Sequence, residues 1–399
     1  MIDKNEMPIN WSLATLETFL DYIQPTKYIV NSTEYHESYK TPVLTAGKSF
    51  LLGYTNETEG IFTQLPTIIF DDFTTAIKFV NFPFKVKSSA MKILVPTSEL
   101  VNIRYVYYFM ETLRITADTH KRYWISVGAK QNIPVSPLPE QHRIVAKIEE
   151  LFSELDKGIE TLKTARQQMK VYRQAVLKYA FEGKLTNPDV KEGELPEGWE
   201  VRLFKDVALI KRGKSKHRPR DAKELFGGPY PFIQTGDVRA ANGKTIKRYS
   251  QSYSEFGLSQ SRLWPAGTLC LTIAANIGDV AFLGFDACFP DSVVGVIPNE
   301  GMLNVNYLRY YMQRIKQELD SSASATAQKN LNVEILEKVN ILLPNVDEQL
   351  FIIQEIESRF SICDKIEESI EQGLQQAEVL RQSILKNAFE FVVISKNSY

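Results

Sequence analysis

The chain has 399 residues, 44% of them hydrophobic, and a formal net charge of -1 from 47 Lys+Arg against 48 Asp+Glu. That length holds two ordinary domains with connecting elements, and that apolar content is globular, which excludes a disordered chain. The charge balance excludes a free-standing protein held to a polyanion by bulk electrostatics; a nucleic-acid ligand would need local basic loops or charge from a partner.

No run approaches the roughly 20 apolar residues that a bilayer span needs. The first residues, Met1-Ile2-Asp3-Lys4-Asn5-Glu6, lack the basic and apolar regions of a secretory leader, so a cytoplasmic protein is expected. Cys270, Cys288 and Cys363 are too few and too scattered for a disulfide framework or a zinc site, and no metal is expected.

From about Trp11 to Ser136 the chain reads as a mixed segment. It has strand-like runs, Thr67-Ile68-Ile69-Phe70 and Ile93-Leu94-Val95, punctuated by Gly47, Gly53 and Gly60. Pro137-Leu138-Pro139-Glu140-Gln141 then ends a strand and seeds a helix that runs to Ala180-Phe181-Glu182. An acidic stretch with Pro and Gly follows as a linker, up to Leu195-Pro196-Glu197-Gly198-Trp199.

A second mixed segment, about Trp199 to Pro344, repeats the outline of the first. Pro42-Val43-Leu44-Thr45-Ala46-Gly47 is answered by Pro231-Phe232-Ile233-Gln234-Thr235-Gly236, and Asn102 to Met110 by Asn304 to Met312. Asn242-Gly243, between Asp237-Val238 and Thr245-Ile246, predicts a tight hairpin. A second long helix begins near Glu348-Gln349 and ends at Ala388-Phe389-Glu390. It repeats the first 208 positions later: Ile148-Glu149/Ile356-Glu357, Asp156-Lys157/Asp364-Lys365 and Arg173-Gln174/Arg381-Gln382 coincide. A unit this long in two copies predicts a duplicated module with pseudo-twofold symmetry.

In these helices the apolar residues step by three and four, which predicts a coiled-coil seam. The seam residues are Ile144, Ile148, Leu151, Leu155, Leu162, Met169 and Val176 in the first helix, and Ile352, Ile356, Ile366, Ile370, Leu380 and Ile384 in the second. About 40 residues give a rod of roughly 60 Å. The partner always at hand is the other copy in the same chain, and the connections favour antiparallel pairing. The fold class expected is therefore α+β: two mixed α/β domains separated by an intramolecular antiparallel two-helix coiled coil, in a pseudo-twofold tandem repeat. The boundaries expected are a first domain over 1–137, a central helix over 138–182, a linker over 183–198, a second domain over 199–345 and a C-terminal helix over 346–399.

Catalytic motifs do not emerge. Thr45-Ala46-Gly47-Lys48-Ser49 imitates the end of a phosphate-binding loop, but Pro42 stands where the motif wants glycine, and no Gly-x-Gly-x-x-Gly follows a strand. Asn187-Pro188-Asp189 lacks the aromatic end of an amino-methyltransferase motif. His36, His120, His142 and His217 have no Ser, Cys or carboxylate at motif spacing, and Pro290-Asp291 reads as a turn or strand end because no Glu-x-Lys follows it. No catalytic residue is assigned.

The chain resembles a type I restriction-modification specificity subunit over nearly its whole length. The resemblance is carried by Pro137-Leu138-Pro139-Glu140-Gln141-His142-Arg143-Ile144-Val145, by Ala180-Phe181-Glu182-Gly183-Lys184-Leu185-Thr186 and by Leu195-Pro196-Glu197-Gly198-Trp199. The second copy departs from the pattern, with Asn345-Val346-Asp347 before Glu348 and Phe391-Val392-Val393 in place of Gly-Lys-Leu. The resemblance implies two target recognition domains that each read one half of a split double-stranded DNA sequence, with the paired helices as a ruler for the unread spacer. It also implies docked methyltransferase subunits, which bring S-adenosylmethionine, and a restriction and translocase subunit. No cofactor is implied in this chain, which would itself catalyse nothing.

DNA contact is expected first from Lys211, Arg212, Lys214, Lys216, Arg218 and Arg220, six basic residues in ten, which can neutralise phosphates or reach guanine edges; a solvated loop is the plain alternative. Gln234, Thr235 and Asp237 resemble the family's loop after the first core strand, and Asn276 lies in a further polar turn. Gln328, Lys329 and Asn330 match its polar approach to the final strand, and His120, Lys121, Arg122 and Tyr123 occupy that place in the first domain. Two other readings stay open at this stage: a coiled-coil scaffold whose two lobes bind ligands other than DNA, and a fused restriction and methylation enzyme with an unseen active site.

Overall fold

The structure is a computed structural model and describes residues 7–45, 49–113, 123–191, 193–324 and 331–390. In chain order the first lobe contains β1 (Ser12–Thr15), β2 (Leu20–Ile23), β3 (Thr41–Leu44), β4 (Leu51–Thr55), β5 (Thr67–Asp71), β6 (Ile77–Val80), β7 (Lys85–Val86), β8 (Met91–Pro96), α1 (Ile103–Thr112) and β9 (Asn132–Val135). The long helix α2 (Leu138–Phe181) follows. The second lobe contains β10 (Glu200–Leu203), α3 (Phe204–Val207), β11 (Ala208–Arg212), β12 (Phe226–Phe232), α4 (Thr235–Ala241), β13 (Thr245–Ile246), β14 (Gln251–Tyr253), α5 (Glu255–Ser259), β15 (Leu269–Thr272), β16 (Val280–Leu283), β17 (Val293–Pro298), α6 (Val305–Ser324), α7 (Val333–Glu337) and β18 (Asn340–Leu343). The last element is α8 (Val346–Glu390).

Two compact units result, one from residues 1–163 and 371–399, the other from 164–370. Both long helices are divided: the first unit holds the start of α2 and the end of α8, and the second holds the end of α2 and the start of α8.

In the first unit an antiparallel sheet has the order β2-β8-β5-β6, beside a smaller sheet β4-β3-β7 and a ribbon β1-β9. β5 and the body of β8 are buried throughout, which is why each carries a continuous apolar stretch, Ile68-Ile69-Phe70 and Ile93-Leu94-Val95, rather than an alternating pattern, and the buried Lys92 beside the second is paired with Asp72. Helix α1 starts where the Asn102 side chain accepts from the backbone N–H of Arg104 at 2.8 Å, an N-cap. Its Tyr105, fully buried, donates its hydroxyl to the carbonyl of Pro134 at 2.7 Å.

The start of α2 is then keyed into this lobe. The buried amide of Gln141 donates to the carbonyls of Leu100 (3.0 Å) and Ser136 (2.7 Å) and accepts from the Asn102 N–H (2.8 Å). Three backbone groups that burial would otherwise strand are satisfied by one side chain. Trp11 donates its indole N–H to Glu140 at 3.2 Å. The end of α8 completes the same core, with Phe389 edge-on to Tyr105 and beside Phe109, at centroid distances of 5.1 and 5.3 Å.

The second unit repeats the scheme. Its sheet has the order β11-β17-β15-β16-β13, with the ribbons β12-β14 and β10-β18. Gln349 donates to Met302 and Pro344 carbonyls (2.9 Å each) and accepts from Asn304 N–H (2.8 Å). Tyr307 donates to the Leu342 carbonyl (2.7 Å), and Trp199 to Glu348 (2.8 Å). Phe181 at the end of α2 packs against Tyr307 and Tyr311, each at 5.1 Å. One prediction is corrected here: Asn242-Gly243 closes a helix, not a hairpin. Asp237 and Val238 lie in α4, and Asn242 (φ 47°) is its left-handed C-cap, followed by Gly243 at φ 78°. The same pair of residues serves both turns because both require positive φ.

Within each unit α2 and α8 run antiparallel. In the first, Arg381 pairs with Asp156 and lies 4.4 Å over the Phe152 ring, while Gly373 faces Leu162. In the second, Ala180 and Phe181 share a core with Ile352, Ile353 and Ile356, and Arg173 further along pairs with Asp364 and Glu367 and covers the Phe360 ring at 4.8 Å. The intramolecular antiparallel coiled coil and the tandem α+β fold are thus both present.

The seam is strictly heptad. Ile148, Leu155, Leu162, Met169 and Val176 recur every seven residues, as do Ile356, Cys363, Ile370, Ala377 and Ile384. The alternate row holds Arg173 in α2 and Glu367 and Arg381 in α8. Ile366 and Leu380, expected in the seam, are instead 39% and 50% exposed on its flank. Each is displaced by the charged residue that follows it, which the 3.5-residue repeat turns inward. Ile144, Leu151 and Ile384 are half-buried, and Ile352 is fully buried in the second lobe's core.

Candidate nucleic-acid interface

The basic run of the second lobe leaves the edge of its main sheet. Lys211 and Arg212 end β11, which pairs with β17 (Arg212 opposite Val294). The chain then folds against the turn that precedes β17: Gly213 N–H donates to Val293 O (2.8 Å), and Lys214 N–H to Phe289 O (3.0 Å). A Cβ at Gly213 would lie 2.3 Å from the carbonyl oxygens of Phe289 and Pro290, so glycine is required for this approach. Beyond it, Lys216 N–H donates to Gln260 O (3.1 Å), and Ser261 Oγ donates to Lys214 O (2.7 Å).

This pinned backbone presents its charges unequally. All six predicted basic residues are exposed. Arg220 donates from Nη2 to both carboxylate oxygens of Asp291 (3.0 and 2.9 Å), and Arg212 donates from Nε to the Asp291 carbonyl (2.9 Å). Arg218 turns back onto its own loop, donating to the carbonyls of Ser215 (2.8 Å) and His217 (2.7 Å). Lys211, Lys214 and Lys216 have no side-chain partner among the described residues.

The amide and carboxylate residues sit on the adjoining elements. Gln234 and Asp237 form the start of α4: the Asp237 carboxylate accepts from the Gln234 N–H at 2.8 Å, a structural capping role. The Gln234 side chain is exposed and donates its Nε2–H to Oε1 of Gln251 on β14. Two residues along the same strand, Tyr253 stacks on Phe232 (4.1 Å) and meets Ser215 of the basic loop at 3.4 Å. Gln251 thus lies two residues, about 7 Å of strand, from the tyrosine whose hydroxyl meets the basic loop. Thr235 is half-buried at the first turn of α4. Asn276 accepts from Arg239 at 2.7 Å, beside Ala275 at φ 64°.

Sequence reasoning did not single out Gln251, and it read Asp291 as a turn or strand end without its arginine partners. An exposed Gln two residues from a core Tyr was the only cue to the first. Asp291 acts across 71 residues of chain, a contact no local pattern reveals.

In the first lobe His120, Lys121 and Arg122 lie outside the described residues, as do Gln328, Lys329 and Asn330 in the second. Tyr123, also offered for DNA contact, is 5% exposed and belongs to the core with Trp124, whose backbone N–H donates to Asp72 at 3.0 Å. Its ring is unavailable to an external ligand, because its partners there are the lobe's own apolar side chains.

Topology supplies a place that the sequence did not. β2 pairs with β8 as β11 pairs with β17, so the stretch from Gln24 to Lys40 occupies the position of the basic loop. There Lys27 and Lys40 are offset by Glu34 and Glu37, and exposed His36 shares Nδ1 with Ser38 Oγ (2.7 Å). No helix among the described residues is long and apolar enough to cross a membrane, and none of their His, Cys, Asp and Glu residues cluster in threes fit for a metal.

The fold is thus a lobe-and-helix unit built twice, with unlike exposed polar loops on the two copies. A family model for the type I restriction modification DNA specificity domain matches residues 196–376. The specificity subunit of the Escherichia coli type I restriction enzyme EcoR124I/EcoR124II is 33% identical over 388 residues, covering 90% of this chain and 88% of that protein. The EcoKI specificity subunit of Escherichia coli K12 is 24% identical over 268 residues, covering 65% of this chain and 57% of its own. Among solved structures, one from work on complex assembly and conformational transition of the type I R-M system matches with a TM-score of 0.69 at 18% identity, covering 96% of this chain and 98% of that one. The HsdS subunit of Thermoanaerobacter tengcongensis matches with 0.55, also at 18% identity, over 96% and 97%. These two likenesses concern the fold. The chain belongs to the type I restriction-modification specificity subunits, the non-catalytic DNA-recognition components of those systems.

Proposed function

We propose that this subunit recognises a bipartite, asymmetric DNA target and docks methyltransferase and restriction subunits around it. The observation that carries the asymmetry is the contrast between the loops after β11 and β2. Six basic residues occupy the first, whereas the second balances two lysines with two glutamates. Unlike loops on like scaffolds read unlike half-sites. Phosphate contacts from free lysines position the duplex, and arginine and amide groups beside them discriminate bases.

Docking would use the outer faces of the long helices. Val171 and Tyr172 in the second unit are 64% and 43% exposed; Val379 and Leu380, at the same repeat position in the first, are 70% and 50% exposed. Apolar side chains left in solvent at the same place in both copies suit one kind of partner, a methyltransferase subunit, bound in the same way at each. S-adenosylmethionine and the adenine chemistry reside in that partner.

The direct test is binding by the chain assembled with its methyltransferase. Sequence-selective binding that weakens with salt is expected, with no methyl transfer by the isolated chain; a complex indifferent to sequence contradicts the reading. Removing one heptad from both α2 and α8 is expected to shorten the preferred spacer by about three base pairs, from roughly 10 Å of helix at 3.4 Å per base pair, and to leave both half-sites unchanged. An unaltered spacer refutes the ruler.

A further inference from the structure

The DNA-reading role proposed above leaves the basic loop as an undivided patch, yet its side chains are held very differently. Lys211, Lys214 and Lys216 have no side-chain partner among the described residues. Two arginines, from opposite ends of the loop, converge on Asp291: Arg220 through its carboxylate and Arg212 through its carbonyl. Asp291 sits in the turn that Gly213 and Lys214 grip by backbone hydrogen bonds to Val293 and Phe289. The carboxylate is thus fixed to the loop it serves.

An exposed ion pair adds little to stability. Arg220 and Asp291 keep 52% and 40% of their side-chain surfaces exposed, so the consequence of the pair is chiefly geometric. A free arginine must give up rotamer entropy when it meets a base; one already held by a carboxylate has given up part of it. Only Nη2 of Arg220 serves Asp291; Nη1 and Nε are not used by the pair, and either of them together with the second Nη2–H makes one parallel pair of donors that can face outward. A planar fork of donors is complementary to the O6 and N7 acceptors of guanine in the major groove, whereas an ammonium group is a point charge suited to phosphate.

We propose that Asp291 is a positioning residue that orients Arg220 to read a guanine in the second half-site, while Lys211, Lys214 and Lys216 neutralise phosphates and carry no sequence information. The inference rests on the DNA-reading role and divides the loop by task. Arg218, bonded to its own loop carbonyls, shapes the backbone and does not read.

The test maps methylated adenines in DNA from cells that carry the complete system with wild-type chain, Asp291→Asn, Arg220→Lys or Asp291→Glu. The wild type must yield a two-part motif; if it does not, the DNA-reading role itself fails. With that motif in hand, Asp291→Asn and Arg220→Lys are both expected to relax the same guanine position in the second half-site. Discrimination there falls about tenfold or more, with the first half-site and the spacer unchanged. Asp291→Glu is expected to restore much of the preference. Arg220→Lys keeps the charge and leaves the turn intact, so it remains informative if Asp291→Asn disturbs folding. Unchanged motifs in both variants, or a uniform loss at every position of the motif, would overturn the assignment.

Discussion

The two lobes carry the same joints and different loops. Gln141 and Gln349, Tyr105 and Tyr307, Trp11 and Trp199, Phe389 and Phe181 make matching contacts in the two units, down to backbone acceptors of equivalent position. Even where the sequence drifts, the joint survives. Arg104 of α1 pairs with Glu149 and lies over Phe79; Arg309 of α6, one turn further along its helix than the repeat would place it, pairs with Glu357 and lies over Phe282. What the two joints share is the ion pair and the ring beneath it, not the residue number. The loops after β2 and β11 differ in charge, as the proposed reading of two unlike half-sites requires.

The sharpest way to break this comparison is at the glutamine keys. Gln141→Leu and Gln349→Leu each strand two buried carbonyls and one N–H, and each is expected to cost about 3–5 kcal/mol in denaturant unfolding. Equal losses confirm equal joints; a loss in only one unit shows that the repeat has diverged mechanically. Next is the loop itself. Replacing Lys211, Lys214 and Lys216 together with alanine is expected to lower the slope of log affinity against log salt by up to about 2.7, from three phosphates at roughly 0.9 each, with the motif unchanged. The equivalent change in the first lobe, Lys27 and Lys40 to alanine, should do less because Glu34 and Glu37 already offset them. Smallest are the seam arginines. Arg173→Met and Arg381→Met remove partly exposed ion pairs while keeping apolar length over Phe360 and Phe152, so shifts near 1 kcal/mol or below are expected for each; a much larger loss for one would mark it as a register determinant.

Much of this fold was legible because it is written twice. The repeat of Ile148-Glu149 and Arg173-Gln174 at a fixed offset exposed the helices and their pairing, and the match of Asn102 to Met110 with Asn304 to Met312 marked a shared segment that folds as α1 and the start of α6. Apolarity alone misjudged the seam at Ile366 and Leu380, because a heptad places residues by phase and tolerates Glu367 and Arg381 inside it when each finds a partner of opposite charge. Asn242-Gly243 was legible as positive φ but not as a helix end, which depends on α4 having formed. The candidate interface was legible where charge is dense in sequence, at Lys211 to Arg220, all of whose basic side chains are exposed, and its side-chain pairings were illegible because they are assembled across the fold, as in Gln234 with Gln251 and Arg220 with Asp291. Tyr123 shows the opposite error: beside basic residues in sequence, it faces the core in space.

The central claim is that one duplicated scaffold carries two unlike readers. Exchanging residues 199–345 for the same segment of a relative with a known target, then mapping methylated adenines in cells that hold the complete system, tests it most directly. One half of the motif should change to the donor's while the other half keeps its wild-type sequence. A motif altered in both halves, or one made of two identical halves in the wild type, would contradict it.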